Sequence, residues 1–266
     1  MVADTLNEVR TRTSTKGKSL VTDVTPAVPE PVFRNDVTVE LVRSSAQDAD
    51  VLFAARVSTA GEQSLDELRK DPARSKGLIN YLMRDRHGTP FEHNSMTFLV
   101  SAPIFVFREF HRHRVGFSYN EESGRYRELQ PVFYVPGPER KLVQRGRPGK
   151  YEFFEGTPEQ QKSVTVAMEA SYRQSYEAYQ AMLADGVARE VARAVLPVGL
   201  FSSMYATCNA RSLMHFLSLR TKDERAKVPS FPQREIEMVA EKMEQAWAEL
   251  MPLTHAAFNE HGRVAP

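Results

Sequence analysis

Arg108-Glu109-Phe110-His111-Arg112-His113-Arg114-Val115-Gly116-Phe117-Ser118-Tyr119-Asn120-Glu121-Glu122-Ser123-Gly124-Arg125-Tyr126-Arg127 is the stretch around which the chain is organised. It sets five arginines and two histidines beside hydroxyl, amide and carboxylate groups. Arginine's planar fork meets phosphate oxygens two at a time and stays charged at any working pH. Ser123 and Arg125 flank Gly124, a residue that lets the backbone come close to a ligand or take a positive φ. This is the chemistry of phosphate binding. The rival reading of any charge run is a solvated basic face. Against it, Asn120, Glu121 and Glu122 interrupt the positive charge, as a site that also reads a polar ring requires. Phe105, Val106, Phe107 and Phe110 lead into the segment as a buried element would.

Whole-chain figures exclude several classes. At 266 residues and 41% hydrophobic composition the chain can bury a substantial core, in one large domain or two small ones. Lysine and arginine total 35 against 34 aspartates and glutamates, and the net charge of +1 gives no general attraction to nucleic acid or membrane. Positive charge is therefore local. The single cysteine, Cys208, excludes an internal disulfide framework and a multi-cysteine zinc site. No apolar run approaches the roughly 18 residues needed to span a bilayer, and residues 1–30 hold no hydrophobic signal core. A soluble cytoplasmic protein is the expectation.

Residues 1–34 mix Thr, Ser, Val, Pro and charge without helical or strand period, which predicts a disordered extension to about residue 35 and one domain over 36–266. Thr38 to Arg43 alternates as a short strand, and Asp48 to Val57 and Ser75 to Arg86 read as helices. His87-Gly88-Thr89-Pro90-Phe91-Glu92-His93 is a turn whose spacing is not that of a helical His-Glu-x-x-His, so a ligand-touching turn is preferred to a metal site. Met96 to Phe107, broken by Pro103, reads as a strand or strand pair. Residues 140–156 are basic and rich in Gly and Pro, and read as a surface loop. Thr157-Pro158-Glu159 opens a helix to about Ala184, and Val187 to Val195 resumes as a short one. Phe201 to Arg220 reads as another helix, with Arg211 and His215 stacked on one side, and Arg234 to Leu250 as a last amphipathic helix. No Gly-x-Gly-x-x-Gly turn follows a strand, which argues against a Rossmann domain.

The string Arg112-His113-Arg114, eight residues, then Ser123-Gly124-Arg125 resembles the signature of the flavin-dependent thymidylate synthases. Three further blocks are similar to that family's: 87–93; Glu190-Val191-Ala192-Arg193-Ala194-Val195-Leu196-Pro197; and 209–220, from Asn209 to Arg220. The resemblance implies an α/β fold of the α+β type, with a central, mostly antiparallel sheet and flanking helices. It implies methylation of dUMP to dTMP, with the carbon from 5,10-methylenetetrahydrofolate and the hydride from NADPH by way of bound FAD. It also implies a homotetramer with shared active sites. By position, Glu109, Phe110, His111, Arg112, Glu121, Glu122, Ser123, Gly124, Arg125, Arg193 and Arg220 would surround the nucleotide. Thr89, Arg112, His113, Arg114, Glu121, Asn209, Ala210, Arg211 and His215 would hold FAD, with His87 near the flavin. Arg220 is the expected catalytic residue, since a guanidinium against the uracil ring stabilises negative charge developing there. Cys208, the one candidate thiol, lies inside a flavin block, so no enzyme nucleophile is expected.

Gly88, His215 and the segment before Gln233 depart from the family's commoner residues. The rivals are an RNA or single-strand binder using Phe117, Tyr119 and Tyr126 as stacking platforms, and a flavoprotein of the same fold without methyl transfer. Near-zero net charge argues against the first. Retention of Ser123, Arg125, Arg193 and Arg220 together argues against the second.

Overall fold

The computed structural model describes residues 29–61 and 72–266. The predicted disordered extension therefore lies almost wholly outside the described residues. Its last part is different: Val32–Arg34 is a strand, β1, paired in parallel with β5, Val132–Tyr134. A strand this short, whose partner lies a hundred residues away, leaves no local period to read.

The centre is a four-stranded antiparallel sheet in the order β2 (Thr38–Ser44), β3 (Met96–Pro103), β8 (Phe201–Cys208), β4 (Phe117–Glu121). β3 and β8 pair along their full lengths, from Met96 opposite Cys208 to Pro103 opposite Phe201. β4 takes the other edge of β8, from Phe117 opposite Cys208 to Glu121 opposite Met204. The expected α+β class with a mostly antiparallel sheet is what the chain forms.

Two segments differ from the sequence reading. Phe201 to Arg220 is not one helix: β8 occupies its first eight residues, and Asn209 breaks the run before α6, Ala210–Arg220. The Asn209 backbone is extended, and its side-chain oxygen accepts from the Ser212 N–H, so it caps the helix. β8 buries Ser202, Met204, Ala206 and Cys208 on one face, but serine stands on both faces and Tyr205 on the open one, so polarity does not alternate with burial. Met96 to Phe107 is a strand only to Pro103, after which Ile104–Phe110 turns helical as α3. Val106, Phe107 and Phe110 bury one side of that turn, and the burial overrides their strand propensity.

The basic 140–156 segment is a hairpin, β6 (Val143–Arg147) with β7 (Lys150–Phe154), rather than a plain loop. Gly149 forms the turn between the strands at φ 79°. Gly146 has φ 101°, and a Cβ there would meet the Lys150 carbonyl.

Helices pack in two groups. α1 (Asp48–Ala60), α2 (Pro72–Arg84), α6, α7 (Arg234–Leu250) and α8 (Pro252–Glu260) enclose the larger core with the sheet. α8, which the sequence reading missed, is capped from a distance: Asp48 accepts from the Leu253 and Thr254 N–H groups at 2.9 Å each. α4 (Pro158–Ala184) starts with a Thr157–Gln160 capping box and covers a second core through Tyr172, Tyr176 and Tyr179. α5 (Arg189–Ala192) and a 3-10 turn (Arg193–Val195) complete that side. Among the described residues no helix is long and apolar enough to cross a membrane.

Candidate functional site

The expected site residues fall into three groups on this chain. The first lies where α3 ends. Tyr119, on β4, donates its hydroxyl to the carbonyls of Phe110 at 3.1 Å and His113 at 2.6 Å, pinning the turn that carries Phe110–His113. Phe110 is fully buried and stacks on Phe216 of α6, with ring centroids 4.6 Å apart. That packing brings the α6 C-terminus to the turn. Arg220 donates from Nη1 to Glu109 Oε2 at 2.6 Å and from Nε to His113 Nε2 at 3.1 Å. The Arg220 side chain is 19% exposed.

The electrostatics of this group follow from its burial. His113 is pushed down to about 4, by burial first and then by the Arg220 and His215 charges. Its ring is therefore neutral near pH 7, as it must be to accept from Arg220. Burial also lifts the Glu109 carboxyl above its ordinary value, against the pull of Arg220.

The second group sits at the other end of α6. Arg211 donates from Nη1 to Glu92 Oε1 and from Nε to the Pro266 main-chain oxygen at 2.6 Å. Its guanidinium lies over Gly88, where a Cβ would come within 2.4 Å of Cζ. Thr89 opens the 3-10 turn Thr89–Glu92 beside it, Asn209 and Ala210 begin α6, and His215 stands one turn along. His215 is also held below its ordinary value, by burial first and then by Arg211 and Arg86. His87 stacks on Tyr81 at 5.5 Å and, with Thr89 and His93, lines a cleft of about 410 Å³ between α1 and α2. No group of three or more His, Cys, Asp or Glu among the described residues is arranged to hold a metal ion.

The third group follows β4, beside the smaller core. The loop after Glu121 is held by the Glu122 N–H on the Ser203 carbonyl at 2.8 Å. Ser123 Oγ accepts from the Arg125 N–H, and the Ser123 carbonyl accepts from Tyr126 and Arg127, closing a tight turn around Gly124. Gly124 is buried against Leu129 and the Arg193 side chain, where a Cβ would meet Leu129 at 2.8 Å. Arg125 is exposed and pairs with Glu190 at 3.0 Å. A surface pair of this kind is worth only about 0–1 kcal/mol, so an anion that reached Arg125 could displace the carboxylate at little cost.

The first two groups share one helix, and His215 links them electrostatically to His113. No hydrogen bond or ion pair among the described residues joins either of them to the Ser123–Arg125 loop. Arg112, Arg114 and Arg193 are exposed, and none of them takes a carboxylate partner among the described residues. Cations left in this way suit an anionic ligand. Several residues escaped the sequence reading. The sequence offers Glu92 only as the carboxylate of a disfavoured metal turn and gives Glu190 no role, and their pairing across space with Arg211 and Arg125 has no sequence signal. Tyr119 was weighed only as a stacking platform, and its hydroxyl is spent on the backbone instead.

Fold and site together define an α+β protein that carries a cluster of exposed arginines, three of them without a carboxylate partner among the described residues. Residues 40–253 match the thymidylate synthase complementing protein family, and the chain belongs to it. A flavin-dependent thymidylate synthase of Streptomyces coelicolor is 79% identical over 246 residues, covering 92% of this chain and 100% of its own. One from Tropheryma whipplei is 56% identical over 240 residues, covering 90% and 99%. Among solved structures, the UMP/dUMP methylase PolB of Streptomyces cacaoi bound with 5-Br UMP superposes with a TM-score of 0.83 at 55% identity, covering 90% of this chain and 100% of that one. The same methylase bound with 5-Br dUMP gives 0.82 at 56%. Membership makes the chain an enzyme of the methyltransferase class.

Proposed function

We propose that this chain methylates dUMP to dTMP, taking the carbon from 5,10-methylenetetrahydrofolate and the reducing hydride from NADPH through bound FAD. The observation that carries the reading is Arg220, fixed between Glu109 and a neutral His113 at the rim of an arginine-rich surface. A guanidinium preset in this way stabilises negative charge growing on a pyrimidine ring without reorganising. Ser123, Arg125 and Arg193 would hold the phosphate, with Gly124 giving the backbone clearance; Glu109, Phe110, His111, Arg112, Glu121 and Glu122 complete the nucleotide's surroundings.

The residues present fit a flavin dinucleotide. Arg112 and Arg114 are exposed without carboxylate partners, as a diphosphate requires, and Arg211 presents a guanidinium already fixed in orientation. With Thr89, His113, Glu121, Asn209, Ala210 and His215 they would bind FAD, whose chemistry when bound is to carry the hydride. Cys208 is buried on β8, and burial pushes its thiol far up, so it does not supply a thiolate. We read the reaction as one without an enzyme nucleophile.

The separation of the Ser123–Arg125 loop from the Arg220 group supports sites assembled from several chains. Val115, Tyr126, Val191, Val195 and Leu219 are exposed beside the site arginines, as an apolar interface needs. We infer a homotetramer in the cytoplasm.

The test is the visible spectrum of the purified protein, followed by anaerobic NADPH with and without dUMP, and then by methylenetetrahydrofolate. The expected result is a flavin spectrum that bleaches at a nucleotide-dependent rate, and dTMP on adding the folate. A protein that takes up no FAD would overturn the reading. Because the methylase relatives were solved with both nucleotide analogues, UMP belongs in the same assay. Faster product from UMP than from dUMP would move the substrate to the ribonucleotide.

A further inference from the structure

Residues 263–266 run beside α6 and touch both of its ends. Arg263, 2% exposed at φ 55°, is knotted in place: its guanidinium donates to both Glu244 oxygens at 2.6 and 2.7 Å and to Asn259 Oδ1 at 2.7 Å. The same group donates to Thr221 Oγ1 at 2.8 Å, and Thr221 is the cap residue directly after Arg220. The Arg263 carbonyl accepts from Ser218 Oγ at 2.7 Å. Two residues on, the Ala265 carbonyl accepts from Arg86 Nη1 at 2.6 Å, and the Pro266 main-chain oxygen accepts from Arg211 Nε at 2.6 Å. Val264 aside, these residues are buried.

The lengths match. Three extended residues span roughly 10 Å, and the seven steps of α6 from Arg211 to Ser218 rise roughly 10 Å. A segment running antiparallel to the helix can therefore reach from its C-terminal knot to its N-terminal arginine. Arg211 is then fixed from three sides: the Pro266 main-chain oxygen on Nε, the Glu92 carboxylate on Nη1, and the open face of Gly88 beneath.

We propose that residues 263–266 are a positioning strap, which aims Arg211 at the flavin dinucleotide through the Pro266 main-chain oxygen and braces Arg220 through Thr221. The proposal rests on the flavin reading above. Neither end of the strap touches a ligand; it acts by removing freedom from two guanidinium groups. Arginine loses much rotamer entropy on binding, and a side chain fixed beforehand has already lost it.

The experiment compares the full chain with a variant lacking Val264, Ala265 and Pro266, which keeps the Arg263 knot. FAD binding is read by quenching of flavin fluorescence, dUMP binding by calorimetry, and folding by the melting transition. FAD binding by the full chain comes first, since its absence would sink the flavin reading and not the strap. Given that binding, the strap predicts FAD affinity weakened about tenfold or more in the variant, with dUMP affinity kept and a melting transition that shifts down, since Ala265 leaves the core, but stays single. FAD affinity within about twofold of the full chain overturns the proposal. Should the shortened chain fail to fold, a variant lacking Pro266 alone decides. It removes the acceptor of Arg211 and leaves the Arg263 knot and the Arg86–Ala265 bond in place, and FAD affinity should fall about threefold. An unchanged affinity there overturns the proposal equally.

Discussion

Gly88 shows how one residue can set another's position. Its φ of −74° suits any residue, so Gly88→Ala costs the backbone nothing, but the new methyl would land on the Arg211 guanidinium. The far end of an arginine moves easily, so the protein should fold as before, with Arg211 displaced. Flavin affinity should drop several-fold with the melting temperature held, and fluorescence titration beside a thermal scan reads both. Arg220→Ala should keep its flavin and lose about 10²–10³ in dTMP formation, the cost typical of deleting one preorganised electrostatic group. Near-normal turnover would take Arg220 out of the chemistry. His113 carries a pH signature. Its native value of about 4 lies below the ordinary 6.5, so the unfolded chain takes up the proton first as pH falls. Stability is unaffected above 6.5 and declines between about 6.5 and 4, by roughly 1–2 kcal/mol after allowing for partial exposure. His113→Gln retains an acceptor for Arg220 and cannot take up that proton. Its melting temperature should therefore fall less between pH 7 and 4.5 than the parent's, and an equal fall would assign the loss to other groups.

Elements were legible where a face meets water. α4 announced itself through Thr157, Pro158 and the tyrosine stripe, and α7 through Ile236, Val239, Ala240, Met243 and Trp247, because each has one buried side and one wet side. β8 was not legible although its burial alternates, with Ser202, Met204, Ala206 and Cys208 inside and Tyr205 half exposed. A serine on the buried side and a tyrosine on the open side blur the polarity pattern, and such a run then reads as helix as easily as strand. Site residues behaved in the same way. The arginines and Ser123 could be found by chemistry and motif, whereas Glu190, Glu92 and the Pro266 main-chain oxygen act through contacts that only folding creates. β8 also bears on the thiol. Cys208 pairs with Met96 and Phe117 at the sheet's inner end and is 2% exposed, far from the exposed, electropositive setting that activates a thiolate. Cys208→Ala should keep turnover within a few-fold and cost about 1–2 kcal/mol of stability for the cavity left behind. Loss of activity in a folded, flavin-loaded variant would restore the thiol as a candidate nucleophile.

At the scale of the whole molecule, the arrangement of groups is itself an argument about assembly. Arg220 and Glu109 belong to the side of the sheet lined by the larger core, while Ser123, Arg125 and Arg193 adjoin the smaller one. β4 runs between them, and its five residues span roughly 15 Å. We propose that a nucleotide meets the phosphate loop of one copy of the chain and Arg220 of another, with the apolar residues around those arginines forming the seam. Arg125→Ala and Arg220→Ala should each be inactive alone for different reasons. Co-expressed, they form mixed oligomers in which some sites draw an intact loop from one chain and an intact Arg220 from another, while other sites hold neither. Activity should then reappear in the mixed preparation, in an amount set by the mixing ratio, and light scattering should give a mass of four chains. A preparation as inactive as its parents, with mixed oligomers verified by tag-based purification, would mean that each site takes both groups from one chain.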